Sequence, residues 1–233
     1  MHLTPATSLR NLASWVRWEP NRDTAAAAVS AFAMIPLYYL SVHLSGPAGA
    51  AVTIVQMAIL GVAFPVWYLA WHKEKPLSWL GITRNRWIPS LVAGIILAAL
   101  FLPRLVALYP GPGLLPHLIV NGCMFWEPFF VFGWLLLSFD RAFGAYHIGT
   151  YPAGGILMLL IVGIISGCIF RATSHILILW PFVWTVSSAM GTAMGGMIFN
   201  WDAVGISVAI LLISLLAIGY TLKVNPGRSS APA

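Results

Sequence analysis

Long apolar stretches, separated by short polar segments, dominate the chain. A helix needs about 20 apolar residues to cross a hydrocarbon core about 30 Å thick. Stretches close to this length occur at 25–44, 51–72, 88–108, 114–139, 153–170, 175–199 and 203–222. The pattern therefore predicts an all-α polytopic membrane protein, with seven clear spans in a single transmembrane helical domain over residues 23–224.

Residues 1–22 precede the first span and show a different pattern. Apolar residues from Leu9 to Val16 recur at helical spacing among tryptophans and arginines, which is typical of an amphipathic helix lying on a membrane surface. Charged residues also occur from Arg10 to Asp23, unlike in a cleaved signal peptide, so we expect the first span to be retained. Residues 225–233 are predicted to form a flexible tail.

The composition supports this class of protein and excludes others. Hydrophobic residues make up 60% of the chain, charged residues only 8%, and the mean hydropathy is +0.87. Soluble domains carry roughly 25% charged residues, and disordered chains are polar, so neither class fits. The net charge of +6 comes without a long basic run, so membrane lipids rather than nucleic acid are the expected partners. Cys123 and Cys168 fall in apolar stretches and are interpreted as reduced core residues.

The basic residues predict the orientation of the chain. The segment from Lys73 to Trp87 holds four of the twelve lysines and arginines, as expected for a cytoplasmic loop. Tryptophans lie before and within this segment, as in the aromatic belt that membrane proteins form at the level of the lipid headgroups. They are Trp67, Trp71, Trp79 and Trp87. The amino-terminal arm lies on the same side if the first two spans form a hairpin.

Seven simple crossings would leave the carboxy-terminal tail outside, with a weak charge bias. One further traverse over 140–152 places eleven of the twelve basic residues inside, with Arg104 alone outside. As a helix this stretch reaches only about 20 Å, so we predict a short irregular or re-entrant traverse that is covered by protein. Both termini are then cytoplasmic in a multi-pass protein of the cell membrane.

Glu127 is the first candidate for chemistry because it is the only acid within a predicted span. A carboxylate at the bilayer centre costs at least ~2.5 kcal/mol. Pro128 follows and removes the helical hydrogen bond to the carbonyl of Met124, so the helix is expected to loosen here. The alternative is a packing role, in which the acid is protonated or hydrogen-bonded by a neighbouring helix.

His147 is the second candidate. A histidine near a buried carboxylate can share in general acid–base chemistry at neutral pH. A continuous helix would hold His147 about 30 Å from Glu127. The two residues can come together only if the chain turns back into the membrane after Glu127. The distribution of basic residues independently favours such an additional traverse.

The remaining polar residues point to no cofactor. His43, His117 and His175 lie near span ends, where paired histidines can hold haem, but polar residues at interfaces are the more common case. Motifs such as HExxH, CxxC, GxSxG and the Walker loop are absent from the sequence. We therefore expect neither a cofactor nor a metal. Asn121 and Arg104 are interpreted as a packing and a snorkelling residue.

Four pieces of sequence, in order over roughly residues 79–190, resemble the CPBP family of polytopic membrane proteins. This family comprises prokaryotic relatives of the type II CAAX prenyl endopeptidase and includes proteins linked to bacteriocin self-immunity. The pieces are WLGITRNRW, the run Trp126-Glu127-Pro128-Phe129-Phe130-Val131-Phe132-Gly133-Trp134-Leu135, the run Phe143-Gly144-Ala145-Tyr146-His147, and GIISGCIFRATSHILILWPF.

The resemblance implies an intramembrane site with Glu127 and His147 as its catalytic residues. The family's first motif reads Glu-Glu-x-x-x-Arg, and its first Glu activates water; the second reads Phe-x-x-x-His. Here Pro128 stands in place of the second Glu, and Phe132 in place of the Arg. The third motif, His-x-x-x-Asn or Asp, would fall near 180–190, where the chain reads WPFVWTVSSAM.

These departures indicate a divergent or catalytically degenerate homologue of an intramembrane glutamic endopeptidase. If active, it would cleave a membrane-embedded or prenylated peptide with Glu127 and His147. The alternative is a non-catalytic scaffold, either an accessory subunit of a larger membrane complex or a binder of a lipid-like ligand. A transporter is a third interpretation, because broken helices and intramembrane acids also mark ion paths.

Overall fold

The computed structural model describes residues 20–83, 87–100, 102–109, 111–138, 157–180 and 199–224. These residues are 88% helical and include no strand, which confirms the predicted all-α class for this part of the chain. Residues 1–19 of the predicted interfacial segment, the predicted traverse over 140–152 and the tail 225–233 lie outside the described residues.

The first two helices form an antiparallel hairpin. Helix α1, Arg22–His43, begins at Asn21, whose side-chain oxygen accepts from the backbone N–H of Thr24 at 3.1 Å, so a first-turn donor is satisfied. Helix α2, Gly46–His72, follows after a two-residue turn. Gly49 permits the close approach here, because a Cβ at this position would collide with the carbonyl of Leu44.

Helix α2 is not a regular α-helix along its length. Two stretches, Val55–Ala63 and Tyr68–His72, are π-helical, and an α-helical turn at Phe64–Trp67 lies between them. Pro65 has no N–H and cannot complete the α-helical ladder at this point. The π-helical stretches on either side of this turn are a feature that natural proteins often place at functional sites.

The predicted span 88–108 is divided into two helices. Helix α3 is Trp87–Ala99 and helix α4 is Leu102–Leu108. Pro103 lies in the first turn of α4, where its missing N–H leaves no helical bond unmade. The apolar run continues through this boundary, so hydropathy alone did not reveal the interruption.

The stretch Gly111–Leu136 is also interrupted. It opens with a 3₁₀ turn, Gly111–Gly113, and continues as helix α5, Leu114–Cys123. After a turn at Met124 and Phe125, helix α6 begins with the short α-helical piece Trp126–Pro128 and continues as the π-helix Phe129–Leu136.

Two further helices complete the described part of the chain. Helix α7 is Leu157–Thr173, followed by a 3₁₀ turn at Ile176–Ile178, and helix α8 is Trp201–Val224. Among the described residues, four helical stretches are long and apolar enough to cross a membrane: Arg22–His43, Gly46–His72, Gly111–Leu136 and Trp201–Val224. Residues 181–198 of the predicted span 175–199 lie outside the described residues.

The best-buried core lies where α1, α2 and α6 meet. Trp134 of α6 is fully buried, and its ring packs edge-on against Phe64 and Tyr68 of α2 at centroid distances of 6.1 and 5.5 Å. The indole N–H of Trp134 donates to Ser30 Oγ of α1 at 2.9 Å, and Ser30 in turn donates to the carbonyl of Ala27 at 2.8 Å. This chain of bonds satisfies the buried polar atoms and joins the three helices.

One end of the bundle is marked by an ion pair, and we call it the Asp23 end. Lys73 Nζ lies 3.0 Å from Asp23 Oδ1, and the Tyr68 hydroxyl donates to the same oxygen at 3.2 Å. The hydrogen bond with Asp23 raises the pKa of Lys73 above its ordinary value. Thr24 Oγ1 lies 3.5 Å from the carbonyl of Ser138, so the far end of α6 is here too.

The carboxy-terminal end of α8 lies at this same end of the bundle. The indole N–H of Trp71, near the end of α2, donates to Thr221 Oγ1 at 3.5 Å, and the Trp71 ring stacks on Tyr220. The opposite end, which we call the His117 end, holds Phe199, whose backbone N–H donates to His117 Nε2 at 3.3 Å. The start of α1 and the end of α8 therefore lie together.

Candidate site at a helix break

Glu127 lies in the first turn of α6, directly after the interruption of the Gly111–Leu136 stretch. The backbone leaves the helical region at Met124, with φ −76° and ψ 43°. Two short bonds replace the helical ladder: Met124 N–H donates to the carbonyl of Asn121 at 3.1 Å, and Phe125 N–H to that of Cys123 at 2.8 Å. The chain turns here before it reaches Pro128.

A tryptophan from a distant segment stabilises this break. The indole N–H of Trp180 donates to the carbonyl of Gly122 at 3.0 Å, and the Trp180 ring packs edge-on against Phe125 at 5.6 Å. A carbonyl at the end of a helix lacks a partner within that helix, and Trp180 provides one from outside. Sequence reasoning missed this residue because no local pattern connects positions 58 residues apart.

Glu127 is half-buried among large apolar neighbours. The preceding residue, Trp126, packs against Gly61 in the π-helical part of α2, where a Cβ would lie 3.2 Å from the indole ring. Phe129 and Phe130, which follow Pro128, are buried. The helix break thus places Glu127 in the first turn of α6, within a stretch apolar enough to span a membrane.

His147, the second predicted site residue, lies outside the described residues. Its proximity to Glu127 therefore stays a prediction. The same holds for WPFVWTVSSAM beyond Trp180, where the third motif of the CPBP resemblance would fall.

Pro128 and Phe132, which replace charged residues of the CPBP motif, are both buried. Phe132 belongs to the main apolar core. An arginine at this position would need a partner or a path to water, whereas phenylalanine packs without either. The immediate surroundings of Glu127 on its own helix are therefore apolar.

Two polar residues of α5 lie one turn apart and are fully buried. His117 is enclosed by aromatic rings, with Tyr109 stacked on it at 3.4 Å and Phe199 at 4.8 Å. Asn121 donates from Nδ2 to the carbonyl of His117 at 2.6 Å. His117 thereby joins the segment after α4 to the segment before α8, and the contacts of Asn121 agree with a packing role.

The histidines considered as haem ligands occupy separate places. His43 is exposed at the end of α1, and its Nδ1 lies 2.7 Å from the carbonyl of Tyr39. His175 lies at the Asp23 end, 3.0 Å from the carbonyl of Thr83, whereas His117 lies at the other end. Within the described ranges, no group of three or more His, Cys, Asp or Glu side chains is arranged to hold a metal ion.

The two cysteines differ in their surroundings. Cys123 is buried at the end of α5, in agreement with the core position expected from the sequence. Cys168 is exposed, so its interpretation as a core residue was wrong. It lies on the same outward face of α7 as Ile164 and Ile165, which are also exposed, because an apolar residue of a membrane helix can face lipid as well as the core.

Gln56 is a buried polar residue that sequence reasoning did not single out. It lies in the first π-helical part of α2, and its Nε2 donates to the carbonyl of Met34 in α1 at 3.3 Å. Its Oε1 is buried and has no hydrogen-bond partner among the described residues. An amide within a long apolar stretch is itself a signal for an interhelical contact.

Fold and site together define a helical membrane protein with a broken, glutamate-bearing helix in its interior. Comparisons of the chain with models of protein families, with curated proteins and with solved structures find no match.

Proposed function

We propose that the chain is a divergent relative of the CPBP membrane endopeptidases that keeps the intramembrane glutamate and has lost most of the groups that support hydrolysis. The observation that carries this proposal is the break at Met124 and Phe125, directly before Glu127. Glu127 is half-buried and lies within a stretch apolar enough to span a membrane. Intramembrane acids of this kind are functional candidates by default.

In an active member of such a family, Glu127 would act as general base on a water molecule. His147 would orient that water or stabilise the developing oxyanion. Such a base works only when neighbouring groups hold it and the water in place. The buried Pro128 and Phe132 supply no charge and no hydrogen-bond donor from their side chains. We therefore propose that binding is retained and that hydrolysis is reduced or lost.

The ligand class follows from the same resemblance. It is a membrane-embedded peptide or a peptide with a prenyl group, bound from within the bilayer. The apolar residues around Glu127, with Trp126 and Phe130 among them, suit an isoprenoid or an apolar peptide segment better than a charged solute.

We further propose that both chain ends face the cytoplasm and that the chain crosses the membrane eight times. Support comes from the common location of the start of α1 and the end of α8, which requires an even number of crossings. Helix α7 ends at the Asp23 end, as α6 does. If α7 crosses the membrane, one more crossing belongs between Ser138 and Leu157. The lysines Lys73, Lys75 and Lys223 favour a cytoplasmic Asp23 end.

The proposal is tested with the purified full chain in lipid vesicles and a photoreactive prenylated peptide. Wild type and Glu127→Gln are compared, with Asp202→Asn as a matched control, because Asp202 is an exposed acid in the first turn of α8. We expect the peptide to label wild type and control, and no cleavage that depends on Glu127. Absence of labelling would contradict the binding role, and Glu127-dependent cleavage would show that hydrolysis is retained.

A scaffold role is the second candidate, and the surface of α1 favours it. Only 17% of the apolar window of α1 is buried within the chain, and Phe32 is 72% exposed. Aromatic side chains of this kind suit contacts with another membrane subunit as well as with lipid. Purification in nanodiscs tests this role: a monomer without a co-purifying protein or lipid-like molecule would contradict it.

A further inference from the structure

Two turns at the Asp23 end are joined through one imidazole ring. His175, between α7 and the Ile176–Ile178 turn, is only 2% exposed. Its Nε2 lies 3.0 Å from the carbonyl of Thr83, and its Nδ1 lies 3.3 Å from the N–H of Leu177. A backbone bond from Ile176 N–H to the carbonyl of Gly81, 3.0 Å long, lies beside it.

These partners fix the protonation state of the ring. The N–H of Leu177 can donate only to a nitrogen that carries no proton, so Nδ1 is the acceptor. The proton then lies on Nε2 and is donated to the carbonyl of Thr83. The neutral ring satisfies both contacts. In an imidazolium, Nδ1 also carries a proton, so two N–H donors, those of Nδ1 and Leu177, would face each other without an acceptor.

The segment Leu77–Thr83, which we call the inner turn, is held in place by these bonds. Leu77 and Leu80 are buried, and the carbonyl of Leu80 lies so close to Gly133 of α6 that a Cβ there would be 2.6 Å away. Gly81 has φ +75°, and the ring of Phe170 covers it. The inner turn therefore packs closely against α6 at Gly133, in the helix that carries Glu127.

Among the described residues, the elements packed against His175 hold no acidic group beside the ring that would offset a charge on it. The inner turn, α3 and the Ile176–Ile178 turn contain no ionisable side chain. Helix α6 carries only Glu127, at its far end, and α7 carries Cys168 and Arg171. Arg84 and Arg86, the next charged residues along the chain from Thr83, are also cationic. Burial lowers the pKa of His175, and the Thr83 contact opposes this shift only in part.

We propose that His175 is an acid-labile latch, which holds the inner turn closed when the ring is neutral and releases it when the ring takes up a proton. Protonation removes the Leu177 contact and adds an uncompensated charge in a buried place. Release uncovers the last turns of α6 at the Asp23 end. This inference does not depend on whether Glu127 is catalytic or on the identity of a ligand.

The sign of the pH effect follows from linkage. The free imidazole has a pKa of about 6.5. The ring in the closed latch takes up a second proton less readily than the free imidazole does. Stability of the latch is fully present above that value and declines as the pH falls below it. The opening constant is expected to rise about tenfold for each pH unit of acidification, until the latched ring itself titrates.

Hydrogen exchange of the full chain in nanodiscs tests the latch at pH 7.5 and 5.5, with rates corrected for the intrinsic pH dependence of exchange. We expect peptides that cover the inner turn and residues 174–178 to exchange about tenfold faster at the lower pH. Peptides from α8 serve as the internal reference and keep their protection. Unchanged protection of the inner turn in wild type would overturn the proposal without any variant.

A variant assigns the effect to one histidine. In His175→Asn, the side-chain oxygen can still accept from Leu177 N–H, but the residue does not titrate and does not reach Thr83 as a donor. We expect faster exchange of the inner turn at both pH values, with no acid-dependent increase. His43→Gln, which changes an exposed histidine, should keep the increase. An acid-dependent increase that persists in His175→Asn would overturn the assignment.

Discussion

Gly133 allows α6 and the inner turn to approach closely because it has no side chain. A Cβ at Gly133 would lie 2.6 Å from the carbonyl oxygen of Leu80, a backbone atom that cannot rotate away. Gly61 is different, because the atom it meets belongs to the ring of Trp126, which can shift by a few tenths of an ångström. Close backbone approach at small residues is a common basis of helix packing in membranes.

Gly133→Ala should therefore lower the stability of the purified protein. Overpacking of a well-packed site costs typically about 1–3 kcal/mol, and here the inner turn must move away from α6. The matched control is Gly219→Ala in α8, where a Cβ meets nothing within 4 Å. That change should be neutral or should stabilise the helix by up to about 1 kcal/mol. Thermal unfolding in detergent measures both, and equal midpoints would contradict the packing described here.

At the scale of the element, the interruption before α6 depends on a contact from outside its own helix. The carbonyl of Gly122 accepts from Trp180, and the ring of Trp180 also packs on Phe125. The polar and the apolar parts of this contact can be separated by substitution. The turn at Met124 and Phe125 is thus a supported structure rather than a frayed helix end.

Trp180→Phe keeps an aromatic ring against Phe125 and removes the N–H that Gly122 accepts. We expect a loss of about 0.5–1.5 kcal/mol, the usual contribution of one hydrogen bond, and faster hydrogen exchange confined to residues around the break. Trp201→Phe, at an exposed position at the start of α8, is the control. If exchange at the break were the same in Trp180→Phe as in wild type, the contact would not stabilise the turn.

At the scale of the whole molecule, the sequence predicted the all-α class and a loosened helix beside Glu127. Hydropathy located α1, α2 and α8 nearly to their ends, because each is one long apolar run. The pair Glu127 and Pro128 indicated a loosened helix, and the structure places the interruption three residues earlier, at Met124 and Phe125. Trp180 donates to the carbonyl of Gly122 and packs against Phe125 at this interruption, a distant contact that a local pattern does not show.

Other features lie beyond what a sequence pattern can reveal. Span 88–108 is divided between Ala99 and Leu102, just before Pro103, but the apolar residues continue across the division. The contacts of His175 join segments 92 residues apart and depend on which carbonyl lies beside the ring. Residue types alone identify His175 as a polar residue near a span end; only the tertiary contacts fix its protonation state.

The distance between the Glu127 carboxyl carbon and the His147 imidazole tests the central claim most directly. It can be measured by solid-state NMR on the full chain in lipid bilayers, with ¹³C-labelled glutamate and ¹⁵N-labelled histidine, and with His147→Gln to assign the signal. We predict a separation of about 4–6 Å, which allows for one water between the groups. A separation above about 10 Å, too long for shared acid–base chemistry, would contradict it.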